Sequence, residues 1–236
     1  MDTTDHVDFA PAQRAAGGIV QAYQAMAYDA VAVSEDDLLA GADFFQQTTA
    51  DGFPFVAANV SDQQGNLLFS PHILKNVGPL TLGIIGLTGK SANKSSALII
   101  KDWRNALREQ ITLLENTCSM LLVLSTLSEE ENLELQKDFQ QVDILITADK
   151  QGKNIQPQPI QNNLRLQSGN QGKYIGRLDI TRYGAGSWSA TTAGAAVQPG
   201  AHAPTGKTYR SFFLVVHPVT SNDAVGLIEQ KIEKNR

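Results

Sequence analysis

The chain has little of what several common kinds of site require. Its 236 residues include a single cysteine, Cys118, which excludes an internal disulfide and a thiolate metal cluster. No histidine is near Cys118 in sequence, and the apolar segment beside it favours an inert packed thiol over a nucleophile. Long apolar runs are missing too. The run from Met120 to Leu124 is far too short to cross a bilayer, so we expect no membrane span.

Clustered positive charge is also scarce. The net charge is −5 and no block of Lys and Arg occurs, which argues against a nucleic acid polymer as partner. None of the four histidines, His6, His72, His202 and His217, stands at metal-ligand spacing, so structural or surface roles are predicted for them. The polar segment after Met1 lacks the apolar part of a signal peptide. That is typical of a cytoplasmic protein, or of an exported one whose signal has been removed.

What the chain does contain is an alternation of apolar strands and helical patterns. Strand-like runs occupy 29–33, 52–60, 80–88, 120–125 and 142–147, and helical patterns occupy 10–27, 36–50, 97–117 and 128–140. This order predicts an α/β fold with a parallel sheet covered on both faces. After Gly152 strands follow one another without helices, which predicts an antiparallel part, and a last helix is expected at 223–234. We expect one domain over residues 1–236, with a long loop at 184–208.

Two glycine-rich stretches invite comparison with nucleotide-binding loops. "GLTGKS", residues 86–91, follows a strand, but a phosphate loop would require glycine where Ile84 stands. The glycines of 167–180 do not match the dinucleotide fingerprint and predict the turns of a hairpin. A nucleotide or small-molecule protein of another type therefore stays open as a hypothesis, with "GLTGKS" as its only hint.

Three consecutive acids, Glu35, Asp36 and Asp37, follow the strand that ends at Val33. Acidic side chains at the start of a helix cap its free N–H groups, and Ser34 with Asp37 has the spacing of a loose capping box. Carboxylates at the end of a strand could instead bind a metal or a ligand. Both interpretations are open on the residues alone.

Six segments that follow one another along the chain bear on whether the acidic loop is a helix cap or a metal or ligand site. They are "YDAVAVSEDDLLAG", "GFPFVAANV", "LTLGIIGLT", "LLVLSTLS", "VDILITADKQ" and "GKYIGRLDI". Over about residues 19–180 their order resembles the catalytic domain of the 5'-nucleotidase and UDP-sugar hydrolase branch of the calcineurin-like metallophosphoesterases. The resemblance implies a metallophosphoesterase-like α/β/β/α sandwich with two metals at the strand ends, which activate water to cleave phosphate esters. It also implies a periplasmic or other extracytoplasmic location.

The matching positions keep the framework of that family and lose its metal ligands. The metal-bridging Asn falls on Glu35, and the transition-state His falls on Asp36. The other ligand histidines fall on Thr126, Asp149 and Gln151. The opening strands of the family, with their Asp-x-His and Gly-Asp motifs, have no counterpart, so the sandwich would lack its first strands. The site is predicted to be degenerate, and Asp36 is the only family-equivalent catalytic position.

Two functions follow from this prediction. The first is a diverged homologue without the usual dinuclear site, which binds a small-molecule ligand or a protein partner through the old cleft or the 184–208 loop. The alternative is a hydrolase of phosphate or related esters in which Glu35, Asp36 and Asp149 hold Mn²⁺, Mg²⁺ or Zn²⁺. The sequence does not decide whether the chain is an enzyme, and the first function requires no cofactor.

Overall fold

The computed structural model describes residues 10–90, 98–148, 155–169, 174–182, 186–190 and 206–215. The helices of this part of the chain are α1 (Ala10–Ala25), a 3₁₀ helix (Asp37–Ala40), α2 (Ala42–Ala50), α3 (Trp103–Leu114) and α4 (Glu129–Asp138). The first seven strands are β1 (Val31–Ala32), β2 (Phe55–Val56), β3 (Val60–Ser61), β4 (His72–Val77), β5 (Leu80–Leu87), β6 (Ile99–Ile100) and β7 (Met120–Ser125). The others are β8 (Ile144–Thr147), β9 (Ile155–Ile160), β10 (Asn163–Gln167), β11 (Tyr174–Arg182), β12 (Trp188–Ala190) and β13 (Lys207–Val215).

The largest sheet has six strands in the order β4-β5-β7-β8-β10-β9. Its four central strands are parallel, and the edge strands β4 and β9 run antiparallel to their neighbours. Parallel strands with intervening helices are what the alternating sequence pattern predicts. Because these strands point the same way, the chain leaves β5, β7, β8 and β10 at one edge of the sheet.

Alternate residues of each central strand bury against different layers. On one face, Val123 and Leu145 pack with Trp103 and Leu107 of α3 and Leu135 of α4. On the other face, apolar side chains of β7, β8 and β10 pack against the second sheet, which has the order β11-β13-β12. The described residues therefore form one helix layer and two sheets, which are three of the four layers of the predicted α/β/β/α sandwich.

A separate cluster of buried side chains surrounds β1 and β2. Phe45 of α2 contacts Phe55 and Phe69 edge to face, and Leu38 and Val33 are buried beside them. Aromatic pairs in this geometry add to the stabilisation from burial. The cluster fixes the position of the short β1 strand and of the acidic loop that follows it.

Several predicted boundaries require correction. The helix expected at 36–50 is a 3₁₀ turn and then α2, because Gly41 between them adopts a φ of 85° that interrupts helical geometry. The strand expected at 52–60 contains only the short β2 and β3. Residues 163–167 were expected in the antiparallel part, but β10 pairs parallel with β8 in the main sheet. The helix expected at 223–234 and most of the 184–208 loop lie outside the described residues.

Candidate functional site

The acidic loop begins as a capping structure. The Ser34 N–H and hydroxyl both donate to Asp37 Oδ2 at 2.7 Å, and the Asp37 N–H donates back to Ser34 Oγ at 3.3 Å. This reciprocal pair is the interaction predicted from the spacing of the two residues. Between them, Glu35 is half-buried and Asp36 is exposed. The carboxylate of Asp37 is therefore occupied in holding the turn.

Buried polar contacts tie this loop to the main sheet. The Thr88 hydroxyl donates to the carbonyl of Val33 at 2.7 Å, and the Thr88 N–H donates to Asn59 Oδ1 at 2.8 Å. The Asn59 amide in turn donates to the carbonyls of Thr88 and Lys101. All the polar atoms of the Asn59 side chain are thus paired, as burial demands.

The glycines of "GLTGKS" serve close backbone packing. A Cβ on Gly86 would lie 2.1 Å from the carbonyl oxygen of Val56, and one on Gly89 would lie 2.4 Å from that of Thr126. The Gly89 N–H donates to Thr126 Oγ1 at 3.1 Å, so it is not directed at a phosphate. A strand end with a glycine turn accounts for residues 86–90 of this motif. Its last residue, Ser91, lies outside the described residues.

Thr126 stands at a position where the resemblance places a ligand histidine. Its hydroxyl accepts from Gly89 N and donates to the carbonyl of Leu87 at 3.3 Å. Ser125 beside it is buried and donates to Asn132 Oδ1 at 2.7 Å. The Thr126 hydroxyl thus joins the end of β7 to β5, and the Ser125 hydroxyl joins it to α4.

A cleft of about 360 Å³ opens at the carboxyl ends of the parallel strands. Its described lining is formed by Tyr23, Tyr28, Ala30, Val31, Ala32, Leu124, Ser125, Thr126, Ile146, Thr147, Ala148, Ser168 and Gly169. This is the edge of the sheet where open α/β folds bind their ligands. Of the predicted site residues, Thr126 lines the cleft, whereas Asp149 and Gln151 lie outside the described residues.

Two tyrosines form one side of this cleft, and the sequence analysis gave them no role. Their ring centroids lie 4.6 Å apart with planes inclined by 34°, and Tyr28 is 47% exposed. Burial, Tyr28 and the negative charge of Asp37 together raise the pKa of Tyr23 above its ordinary value. The pair of tyrosines five residues apart at a helix end was the available signal.

The donors that the structure describes do not fit the dinuclear centre implied by the resemblance. Within the described ranges, no three His, Cys, Asp or Glu side chains are grouped so that they could hold a metal ion. Thr126 Oγ1 and the Asp37 carboxylate are committed to the hydrogen bonds above. We therefore derive no reaction step through a metal.

The opposite edge of the sheet contains an ion pair that the sequence analysis did not predict. Lys207 is 5% exposed, and its Nζ donates to Asp143 Oδ1 at 2.6 Å and lies 4.9 Å from the centre of the Trp188 ring. Asp143 Oδ2 accepts from the N–H of Leu121 at 2.9 Å. Since these residues start strands of both sheets, they join the two layers at their amino-terminal edge.

His72 on the edge strand β4 and the single cysteine both make structural contacts. His72 Nδ1 lies 2.7 Å from Gln110 Oε1, a contact between β4 and α3. Cys118 Sγ donates to the carbonyl of Leu114 at 3.0 Å, and burial together with Asp143 raises the pKa of the thiol. A raised pKa leaves little thiolate at neutral pH, as expected of an unreactive cysteine.

Comparison with known proteins identifies the fold. No family model matches the sequence, and no curated protein matches it. Among solved structures, sulfate thiohydrolase SoxB from Thermus thermophilus in complex with glycerol superposes with a TM-score of 0.67 at 16% identity, over 96% of this chain and 40% of its own. A 5'-nucleotidase precursor, also from Thermus thermophilus, gives 0.62 at 20% identity, over 94% of this chain and 47% of its own. NAD nucleotidase from Haemophilus influenzae gives 0.56 at 17% identity, over 72% of this chain and 35% of its own.

The chain has the α/β fold of the calcineurin-like metallophosphoesterases. The resemblance to the 5'-nucleotidase branch is confirmed at the level of the fold. The chain spans less than half the length of these three solved structures, with 47%, 40% and 35% of them covered. Among the described residues, none of the helices is long and apolar enough to cross a membrane.

Proposed function

We propose that this chain binds a small uncharged ligand in the cleft at the strand ends and does not use dinuclear metal chemistry. The observation that supports this most is the chemical character of the described cleft wall, which consists of Ala, Val, Leu, Ile, Gly, Ser, Thr and Tyr. Walls of this kind, mostly apolar with a few hydroxyl groups, are typical of small-molecule sites. Its volume of about 360 Å³ falls within the usual range for such sites.

Charge near the cleft supports an uncharged ligand over a phosphate ester. Glu35, Asp36 and Asp37 follow β1, and Asp37 is close enough to raise the pKa of Tyr23 in the cleft wall. A phosphate group in the same cleft would be repelled by this negative charge. In the metallophosphoesterases that the motifs resemble, the two metals would offset that repulsion.

The alternative function is hydrolysis of phosphate or related esters with a carboxylate-bound Mn²⁺, Mg²⁺ or Zn²⁺. One observation favours it: Ala148 lines the cleft, and Asp149 follows Ala148 in the chain. Glu35 and Asp36 would complete the oxygen ligands, which suit hard cations. The alternative therefore predicts that activity depends on Glu35 as well as on added metal.

A set of three probes separates the two functions. 2-Naphthol and decahydro-2-naphthol are uncharged at neutral pH, and 2-naphthyl phosphate adds a phosphate group to the first of them. We expect calorimetric titration to show that at least one alcohol binds more tightly than the phosphate ester. We also expect no release of inorganic phosphate when each of the three metals is added.

Matched variants place the binding in the cleft. Ala30→Phe fills the cleft and should abolish binding of the alcohols, whereas Ile19→Phe on the exposed side of α1 should leave binding unchanged. The proposal is wrong if neither alcohol binds. It is also wrong if 2-naphthyl phosphate is hydrolysed in a metal-dependent reaction that Glu35→Gln removes.

An extracytoplasmic location is also part of this proposal, and the resemblance to periplasmic nucleotidases supports it. Fractionation of the cells that produce the protein would test the location. Recovery of the native protein with cytoplasmic markers would contradict it.

A further inference from the structure

We propose that the ligand of the cleft is a planar aromatic molecule, held by the ring pair Tyr23 and Tyr28. This inference rests on the proposed function, because it names the chemical class of the uncharged ligand. It is carried by the geometry of the two rings and of the backbone between them.

The ring pair provides a stacking surface at the side of the cleft. The ring centroids lie 4.6 Å apart and the planes are inclined by only 34°, so the rings lie nearer to a stacked arrangement than to an edge-to-face one. Tyr23 is half-buried against the cluster around β1, and Tyr28 is 47% exposed. One ring is therefore anchored by the protein, while the other offers aromatic surface to a molecule in the cleft.

The chain keeps Tyr28 in this position by an unusual backbone conformation. Ala27, directly before Tyr28, has a φ of 52°, in the left-handed region that side chains other than glycine rarely adopt. The N–H of Tyr28 then donates to the carbonyl of Tyr23 at 3.4 Å, and the N–H of Ala27 donates to that of Gln24 at 3.0 Å. This helix ending folds the chain back, so that the second ring lies on the first.

The rest of the described wall leaves room beside the rings. Ala30, Ala32 and Ala148 carry the smallest side chains that still present an apolar surface. The hydroxyl of Thr147 is already bonded to Gln167 Oε1 at 2.8 Å, and that of Ser125 is bonded to Asn132. A flat apolar ring system therefore suits the cleft better than a sugar, which requires many hydrogen-bond partners.

The test compares two alcohols of the same carbon skeleton. 2-Naphthol is planar and aromatic, whereas decahydro-2-naphthol is apolar and puckered. We expect calorimetric titration of the intact protein to show at least about tenfold tighter binding of 2-naphthol, because a flat aromatic ring stacks on an aromatic side chain and a puckered ring does not. Tyr28→Phe should keep this preference and Tyr28→Leu should remove it, with circular dichroism showing that both variants are folded.

The outcomes separate this inference from the proposed function. Equal affinity for the two alcohols, both abolished by Ala30→Phe, would overturn the aromatic inference and leave the proposed function standing. A preference for 2-naphthol that persists in Tyr28→Leu would also overturn it. Failure of both alcohols to bind would overturn the proposed function and the inference together.

Discussion

The two ends of the parallel strands in this protein have opposite chemistry. At the amino-terminal edge, Lys207 and Asp143 form a buried ion pair. Lys207 Nζ also donates to the carbonyl of Asn162 and lies over the Trp188 ring, and Asp143 accepts from the N–H of Leu121. At the carboxyl-terminal edge, where the resemblance places metal and substrate, small apolar side chains and paired hydroxyl groups line an open cleft. The buried ion pair of Lys207 and Asp143 thus joins the two sheets, whereas the cleft is the surface where we propose that the ligand binds.

This difference separates the contacts that hold the layers together from those that line the open cleft. A buried charge pair is held by several elements at once, and removing either partner leaves the other without compensation. At the cleft, Thr126 donates its hydroxyl to the carbonyl of Leu87 on the neighbouring strand. Variants at each end of the strands test the two roles separately.

The largest effect is expected at the amino-terminal edge. Asp143→Ala removes the partner of Lys207 and the acceptor for the Leu121 N–H, so the free energy of unfolding should fall by about 3–5 kcal/mol. Urea unfolding monitored by circular dichroism measures this change. The double variant Asp143→Ala with Lys207→Met is the control, and it should lose less than the sum of the two single variants. A loss below about 1 kcal/mol in Asp143→Ala would contradict this account of the edge.

The next effect concerns the glycines that permit close packing below the cleft. Gly86→Ala places a Cβ against the backbone carbonyl of Val56, which must shift, so a loss of about 2–3 kcal/mol is expected in urea unfolding. Gly83→Ala is the matched control on the same strand. Its Cβ would first meet Cys118 Sγ and the end of Leu121, which are side-chain atoms. Equal losses in the two variants would show that the approach of Val56 is not what requires glycine.

A smaller effect depends on pH. Hydrogen bonds from Arg165 lower the pKa of Glu129, so this carboxylate stabilises the fold above its unfolded pKa of about 4.3 and loses that effect as the pH falls further. Glu129→Gln leaves the buried Arg165 without its charged partner. We expect it to destabilise the protein by about 1–2 kcal/mol at pH 7. The expected loss is small for a buried charge that loses its partner, because the Glu129 side chain is 62% exposed and water screens the pair.

Unfolding of Glu129→Gln and of the parent chain across pH measures this linkage. The difference between them should shrink as the pH falls below about 4, where the carboxyl is protonated first in the unfolded state and then, at lower pH, in the folded state. Glu130→Gln, on the same turn of α4, serves as the control for removing one acidic charge from the start of this helix. A difference for Glu129→Gln that stays constant as the pH falls to about 3 would show that the ion pair is not its source.

The smallest effect tests the backbone beside the ring pair. Ala27→Gly would relieve the strain of the left-handed conformation at this position while adding freedom to the unfolded chain. The net expectation is a stabilisation of about 0.5 kcal/mol, measured as a shift in the urea midpoint. Ala22→Gly, within α1, should instead destabilise by about 0.5–1 kcal/mol. Destabilisation of similar size in both variants would contradict the strained ending of α1.

The sequence predicted the layers better than it predicted the site. The continuous apolar run at 120–125 is a local signal, and β7 was found there. The helical pattern at 128–140 is another, and α4 starts there with a capping box of Ser128 and Glu131. The motifs in series predicted the fold that the three solved structures share with this chain. The interruption at Gly41 was not predicted within the helical pattern at 36–50, because the spacing of hydrophobic residues does not reveal the φ of a single glycine.

The missed parts of the site depend on contacts between distant residues. Asp143 and Lys207 are 64 residues apart, and nothing local marks either as buried. The tyrosine pair was visible as a spacing, but its place in the cleft wall follows from the packing of α1 beside β1. The roles of Glu35, Asp36, Thr126, Asp149 and Gln151 stay predictions of the resemblance.

The most direct test of the central claim is the ratio of the dissociation constants of 2-naphthol and 2-naphthyl phosphate, measured by calorimetry with Mn²⁺ present. The two probes differ only in the phosphate group, so the ratio reports whether the cleft accepts charge. We predict that the alcohol binds at least about tenfold more tightly, a difference of ~1.4 kcal/mol, and that no phosphate is released. Tighter binding of the phosphate ester, with turnover that is lost in Glu35→Gln, would contradict the account.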